Sequence, residues 1–263
     1  MYLAGPELGD ALAECRRVAS LTDRTTIGHW HRSEDAPDLL ARECLAAVDG
    51  LADEGLDCYL SIKAAALGFR QDLLDGLGER ARQRGIRIMF DSEGPEIADA
   101  TLTLAERLRT AGTDVSCVLP GRWPRSRRDA DWAVDREIAI RVVKGQFRDP
   151  AAGRISLRQG FMAVVDRLAG RASYVAIATR DVPLARAALD RLQAAGTSCE
   201  VEMVLGLAPQ SMFDLARSKA VPVRLYVPYG VPQLPFSLTQ LRQNPRIVWW
   251  LTRALAAPDP SRG

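Results

Sequence analysis

Short apolar runs rich in β-branched residues alternate along the chain with longer stretches whose apolar positions recur at helical spacing. Eight such runs stand out: Thr25–Trp30, Cys58–Leu67, Ile86–Glu93, Asp114–Pro120, Ala139–Gly145, Tyr174–Arg180, Ser198–Gly206 and Val221–Gly230. Their starts lie about 23 to 35 residues apart, the size of a βα unit. The stretches between them read as helices. Pro37–Leu51 places Leu40, Cys44, Val48 and Leu51 on one stripe, with Pro37 in its first turn. Pro95–Ala111 opens on an acidic turn bearing proline. Val182–Ala195 follows Asp181, an N-cap residue, with Pro183 just inside. Ala-Gly-Thr recurs at Ala111–Thr113 and Ala195–Thr197, where glycine would end a helix ahead of a strand. Leu8–Leu21 reads as a helix before the first strand and Leu238–Leu255 as the last one.

Ile138–Val143 (Arg141 apart) and Val175–Ile177 are apolar on both faces, which favours parallel strands covered by helices on both sides. Eight βα units in one chain of this length match a (β/α)₈ TIM-type barrel with an extra N-terminal helix and a C-terminal helix closing the active site. A doubly wound open sheet is the other arrangement of the same units. With no linker or low-complexity segment visible, residues 1–263 are read as a single domain, with Pro258–Gly263 as a frayed tail.

Composition narrows the function classes. With 47% hydrophobic and 26% charged residues the chain is an ordinary soluble protein, and a net charge of +2 gives no case for bulk binding to nucleic acid or membrane. No apolar run is long enough to span a bilayer, and the N-terminus has no signal-peptide pattern. Five scattered cysteines without a C-x-x-C pair read as reduced thiols, hence a cytoplasmic setting. Of 35 basic residues only Lys63, Lys144 and Lys219 are lysine. In so arginine-rich a chain, a lysine marks places where a compact, titratable ammonium is needed.

In a (β/α)₈ barrel the chemistry sits at the C-terminal ends of the strands. Those ends carry His29 and His31, Lys63, Asp91 and Glu93, Arg122, Arg141 and Lys144, Thr179 and Arg180, Glu202, Tyr226 and Tyr229. Lys63 either pairs with Asp91 or Glu93 or faces a substrate, because an isolated ammonium in an apolar stretch is costly. Asp91 and Glu93 share a strand face by period two and must pair or shift their pKa values. Arg141 and Lys144, followed by Gly145, either hold an anionic cofactor such as a pyrophosphate or reduced flavin, or close the barrel with ion pairs. His29 and His31 are packed or exposed histidines or metal ligands, and a metal-dependent barrel lyase or hydrolase would use His29, Asp91 and Glu93. Arg122–Arg128 is a solvated loop or a contact for a cofactor phosphate. Rossmann, P-loop, zincin and nucleophile-elbow motifs are absent from the sequence.

At these residues the chain resembles the proline dehydrogenase family along nearly its whole length. Leu60-Ser61-Ile62-Lys63, followed by Ala66-Leu67-Gly68, is similar to the family's lysine-bearing second strand, and Asp91-Ser92-Glu93 to its D-x-E strand. Arg141-Val142-Val143-Lys144-Gly145-Gln146-Phe147 resembles its flavin motif R-L-V-K-G-A-Y. Ala178-Thr179-Arg180-Asp181 resembles A-T-H-N, Glu202-Met203-Val204-Leu205-Gly206-Leu207 resembles Q-M-L-Y-G-M, and Arg224-Leu225-Tyr226-Val227-Pro228-Tyr229-Gly230 is close to R-V-Y-V-P-Y-G.

The resemblance implies an FAD-dependent dehydrogenase or oxidase acting on CH–NH bonds. It puts Arg141 near flavin N5, with Lys144, Gly145, Gln146, Thr179, Arg180 and Glu202 lining the cofactor site. Lys63 would meet the substrate carboxylate, and Asp91 and Tyr226 would form the pocket. The electron acceptor, quinone or oxygen, stays open. Departures from the family pattern carry their own information. Pro120 stands for a glutamine, Arg180 for a histidine and Glu202 for a glutamine. In the last helix the two arginines that clamp the proline carboxylate are replaced by Thr239 and Gln240, their acid by Gln243, and a tyrosine by Phe236. Neutral groups do not replace a bidentate arginine clamp. The expected substrate is therefore an amine with a masked or absent carboxylate, free or bound to a carrier protein. A redox-inactive ligand-binding barrel that has lost FAD is the competing reading.

Overall fold

Each of the eight apolar runs supplies one strand. The computed structural model describes residues 3–22, 24–32, 34–150, 153 and 155–231. Its strands are β1 (Arg24–Trp30), β2 (Asp57–Ile62), β3 (Arg87–Phe90), β4 (Val115–Pro120), β5 (Ala139–Val143), β6 (Val175–Ala178), β7 (Cys199–Val204) and β8 (Val223–Gly230). All pair in parallel and in chain order, and β8 returns to β1, from Arg224 beside Arg24 to Gly230 beside Trp30. The closed barrel excludes the open doubly wound sheet. Helix α1 (Leu8–Val18) precedes the barrel. Helices α2 (Pro37–Glu54), α3 (Gln71–Arg84), α4 (Ala98–Thr110), α5 (Ser126–Asp135), α6 (Leu157–Leu168), α7 (Val182–Ala194) and α8 (Gln210–Ser218) fill the crossovers. Among the described residues no helix is long and apolar enough to cross a membrane.

The punctuation works as its chemistry requires. The Asp181 carboxylate accepts from the Leu184 amide at 3.1 Å and starts α7. Both Ala-Gly-Thr repeats end a helix on a left-handed glycine, Gly112 at φ 89° and Gly196 at φ 72°. Several boundaries differ from expectation, and two of them have a local reason. The run Cys58–Leu67 is a strand only as far as Ile62, because its ladder with β3 stops at Ile62 opposite Phe90. The stretch Pro95–Ala111 begins as a short 3₁₀ turn, Pro95–Ile97, since Ile97 at φ −106°, ψ 2° is not helical. The expected helix Leu238–Leu255 and the tail Pro258–Gly263 lie outside the described residues.

The main apolar core lies between strands and helices, with Phe90, Phe161, Leu51 and Leu74 among its buried members. The barrel interior is different. Among the described residues it holds a small apolar cluster, Met89, Val118 and Tyr226 with Val143 and Val204 against it, beside buried polar and charged side chains. At its N-terminal end Arg224 is fully buried. It donates to Glu200 at 2.7 Å and Asp57 at 2.9 Å, and its guanidinium lies 3.5 Å from the Tyr59 ring centroid. Arg24 and Tyr174 satisfy the other Glu200 oxygen at 3.2 and 2.8 Å. Every charge in this floor has a partner, the condition under which buried ions are tolerated.

Candidate active site

The C-terminal end of the barrel gathers the residues named from sequence, in three groups. The first centres on Arg141 of β5, whose side chain is 9% exposed. Its Nη1 donates to Glu202 of β7 at 2.9 Å, and its Nη2 donates to Asp91, just beyond β3, at 3.1 Å. Its guanidinium carbon sits 5.4 Å from the ring centroid of Tyr226 on β8. Two carboxylates thus face one guanidinium. Burial pushes the Glu202 carboxyl above its ordinary range against the pull of Arg141. Burial also pushes the Tyr226 hydroxyl up to about 12, helped by the charge of Asp91. Among the described residues the Nε of Arg141 is buried without a hydrogen-bond partner.

The second group lies beside β1 and β2. Lys63 follows the end of β2, half-buried, and forms no ion pair among the described residues. The alternative of a Lys63 salt bridge to Asp91 or Glu93 is not what the structure has, although its charge reaches Glu93. Burial lowers the pKa of His29 and His31, and Lys63 adds to the effect. The two imidazoles are 6.5 Å apart, and His29 stacks on Tyr229 at 4.9 Å. No three His, Cys, Asp or Glu side chains among the described residues converge on a metal position.

Asp91 and Glu93 do not act as a pair. β3 ends at Phe90, so period two no longer governs them. Asp91 turns to Arg141, while Glu93 accepts from the Ala65 amide at 3.3 Å and is raised by burial.

A third group flanks the barrel mouth after β5 and β6. Lys144 donates to Asp181 at 3.1 Å, and Arg158 joins the same carboxylate at 2.8 Å. Burial raises Asp181, but the Leu184 amide, Lys144 and Arg158 outweigh this and hold it below its ordinary value. Thr179 is buried and accepts from the Asp181 amide at 3.2 Å. Arg180 is exposed, and the buried acid Glu202 is bonded to Arg141. Arg122 donates to the Gln146 carbonyl at 2.8 Å.

Arg122, Arg148 and one carboxylate, Asp149, line an open cleft of about 450 Å³ with Ser156 at the start of α6. Neither arginine forms an ion pair among the described residues, and burial together with the charge of Arg148 lowers the pKa of Arg122. Two mutually repelling guanidiniums beside a helix N-terminus suit an anion such as a phosphate. Gly145 holds the adjoining loop against them at φ 91°. A Cβ there would lie 2.7 Å from Pro120 Cβ and 2.9 Å from Arg122 Cγ.

This geometry is accompanied by similarity to known proteins. No family model matches the chain. It is 22% identical over 262 residues to proline dehydrogenase 1 of Bacillus subtilis, covering 93% of this chain and 86% of that one. It is 20% identical over 259 residues to proline dehydrogenase 2 of the same bacterium, covering 92% and 85%. The chain is distantly homologous to proline dehydrogenases. Its fold matches proline utilization A (PutA) of Bdellovibrio bacteriovorus inactivated by N-propargylglycine, with a TM-score of 0.74 at 15% identity, over 96% of this chain. A PutA of Bradyrhizobium japonicum matches with a TM-score of 0.72 at 15% identity over 87% of this chain. The chain spans about a third of the length of those PutA proteins, 32% and 28%.

The resemblance seen in the six motifs therefore extends to nearly the whole chain and to the barrel. Phe236, Thr239, Gln240 and Gln243, the positions of the missing clamp, lie outside the described residues. The buried floor around Arg224 and Glu200 was not read from the sequence. Its signal was there, since Glu200 and Arg224 each stand two residues before an expected site residue and so face the same interior.

Proposed function

We propose that this chain is a flavin-dependent oxidoreductase resembling proline dehydrogenase, acting on an amine whose carboxylate is masked or absent. The observation that carries this reading is the meeting of Asp91, Arg141, Glu202 and Tyr226, drawn from four separate motifs, at one end of the barrel. Homology to proline dehydrogenases supports the reaction class.

The residues fit an anionic dinucleotide. The orphaned Nε of Arg141, Arg122 and Arg148, which form no ion pair among the described residues, and the tight Gly145 loop all suit one. Arg141, Lys144, Gly145, Gln146, Thr179, Arg180 and Glu202 would hold FAD. Bound there, FAD supplies the two-electron acceptor at N5 for oxidising a C–N (or N–N) single bond.

The protein's own tasks are binding, orientation and charge control. Asp91 and Tyr226 form the wall against which the amine is held, with Asp91 favouring a cationic or hydrogen-bonding nitrogen. Lys63, half-buried and without an ion pair among the described residues, faces the polar or anionic end of the substrate. With Thr239, Gln240 and Gln243 in place of two arginines and an acid, a free carboxylate loses its strongest contact. The nitrogen must give up its proton before its neighbouring carbon is oxidised, so turnover rises with pH.

The double neutralisation of Arg141 favours a second reading, a ligand-binding barrel without redox chemistry. Reconstitution separates the two. Uptake of FAD, followed by anaerobic bleaching with an amine, supports the enzyme. A protein that takes up no FAD is the ligand-binding barrel.

A further inference from the structure

Glu202 is a carboxylate where the related sequence pattern has a neutral amide, and the structure gives that difference a specific setting. Its Oε1 lies 2.9 Å from Arg141 Nη1, its side chain is 3% exposed, and Asp91 occupies the other amino group of the same guanidinium. Asp91 is 25% exposed, so water screens its charge, whereas water does not reach Glu202 to any comparable extent. Among the described residues the groups facing Glu202 are few. Arg141 comes from β5, Arg224 and Tyr226 from β8, and Glu200 from its own strand. β6, Val175–Ala178, carries no titratable side chain. Arg224 is already bonded to Glu200 and Asp57. Among the described residues one cation therefore serves two carboxylates, and any anion brought against Arg141 adds a third negative charge in a buried place. Like charges so close cannot all stay ionised.

We propose that Glu202 is a built-in counter-ion of Arg141 that takes up a proton when an anion forms beside that guanidinium. This rests on the flavin reading of the site. Two-electron reduction of oxidised flavin to its anionic form consumes one proton at the ring. In this protein a second proton converts Glu202 from carboxylate to carboxylic acid, so that charge is conserved around Arg141. The electrons come from the substrate, or from a chemical reductant in a titration, and the proton at Glu202 comes from solvent or from the substrate nitrogen. Burial, which already raises the Glu202 carboxyl, prepares it for this step.

The test is the pH dependence of the FAD reduction potential in the reconstituted protein, read with the absorption spectrum of the reduced flavin. The parent should take up two protons per electron pair over part of its pH range while its reduced flavin is anionic. Glu202→Gln should take up one, with the reduced state favoured tenfold or more over the parent at neutral pH. Asp91→Asn should still take up two. Should Glu202→Gln fail to fold, the parent alone decides, because one proton throughout overturns the proposal. So does a neutral reduced flavin in the parent, which would put the second proton on the ring, or loss of that proton in Asp91→Asn. Failure to take up FAD overturns the flavin reading and this inference with it. FAD uptake with equal proton counts in parent and Glu202→Gln overturns this inference alone.

Discussion

Arg141 Nη1 and Glu202 Oε1 are 2.9 Å apart in the barrel interior, on strands that are not neighbours in the sheet. Removing the two partners should have opposite consequences. Arg141→Met leaves two carboxylates without a cation and should cost about 3–5 kcal/mol near neutral pH. The Glu202 carboxyl, already raised by burial, then loses the cation that opposed the rise, so the loss is largest at neutral pH and recovers as pH falls through its raised value. Glu202→Gln removes a charge that burial penalises and should stay within about 1 kcal/mol of the parent, with its relative stability greatest at neutral pH. Denaturant unfolding of both variants from acid to neutral pH checks the pair. Equal destabilisation by the two changes would contradict it.

The floor should behave as structure, not chemistry. Arg224→Met removes the buried cation bonded to Glu200 and Asp57 and leaves Arg24 alone to serve both, and an unfolding cost of about 3–5 kcal/mol is expected. The fraction that folds should bind FAD with parental affinity, because the site is at the opposite end of the barrel. Thermal unfolding and FAD titration measure the two effects separately.

Gly145→Ala should cost about 1–3 kcal/mol from its left-handed backbone alone. The added Cβ also meets Pro120 and Arg122, so the loop and the cleft it borders are disturbed together. Unfolding free energy and FAD affinity should fall in the same variant.

Arg122→Gln combined with Arg148→Gln should weaken FAD binding by tenfold or more and lower its salt dependence, while riboflavin, which lacks phosphate, binds as before. Equal loss for both ligands would show that the arginines act only by packing.

Much of this molecule was legible in one sequence, and the parts that were not share a cause. Periodicity placed all eight strands, and the Asp181 cap and Ala-Gly-Thr endings follow from local backbone chemistry. Reading Lys63, Asp91, Arg141, Glu202 and Tyr226 as candidate site residues needed only their places at strand ends. Who pairs with whom was not local information. Asp91 and Glu93 look equivalent by spacing, yet β3 stops one residue before Asp91 and the two carboxylates separate. Arg141 meets Asp91 and Glu202 across the barrel, at separations of 50 and 61 residues, which only closure of the sheet determines.

The substrate argument is tested by restoring the missing clamp. Thr239→Arg, Gln240→Arg and Gln243→Glu together return the pattern seen in the proline dehydrogenase family. Turnover of free proline should rise at least tenfold over the parent in the triple variant. An unchanged rate in a folded, FAD-loaded variant would show that these positions do not set specificity.

The most direct measurement is anaerobic bleaching of the FAD-reconstituted protein by a panel of proline, its esters and amides, cyclic amines and carrier-linked prolyl groups. The expected result is a yellow protein bleached by one or more compounds without a free carboxylate, faster at higher pH, and poorly by proline. Ready bleaching by free proline would contradict the substrate claim, and a colourless protein that takes up no FAD would contradict the flavin chemistry itself.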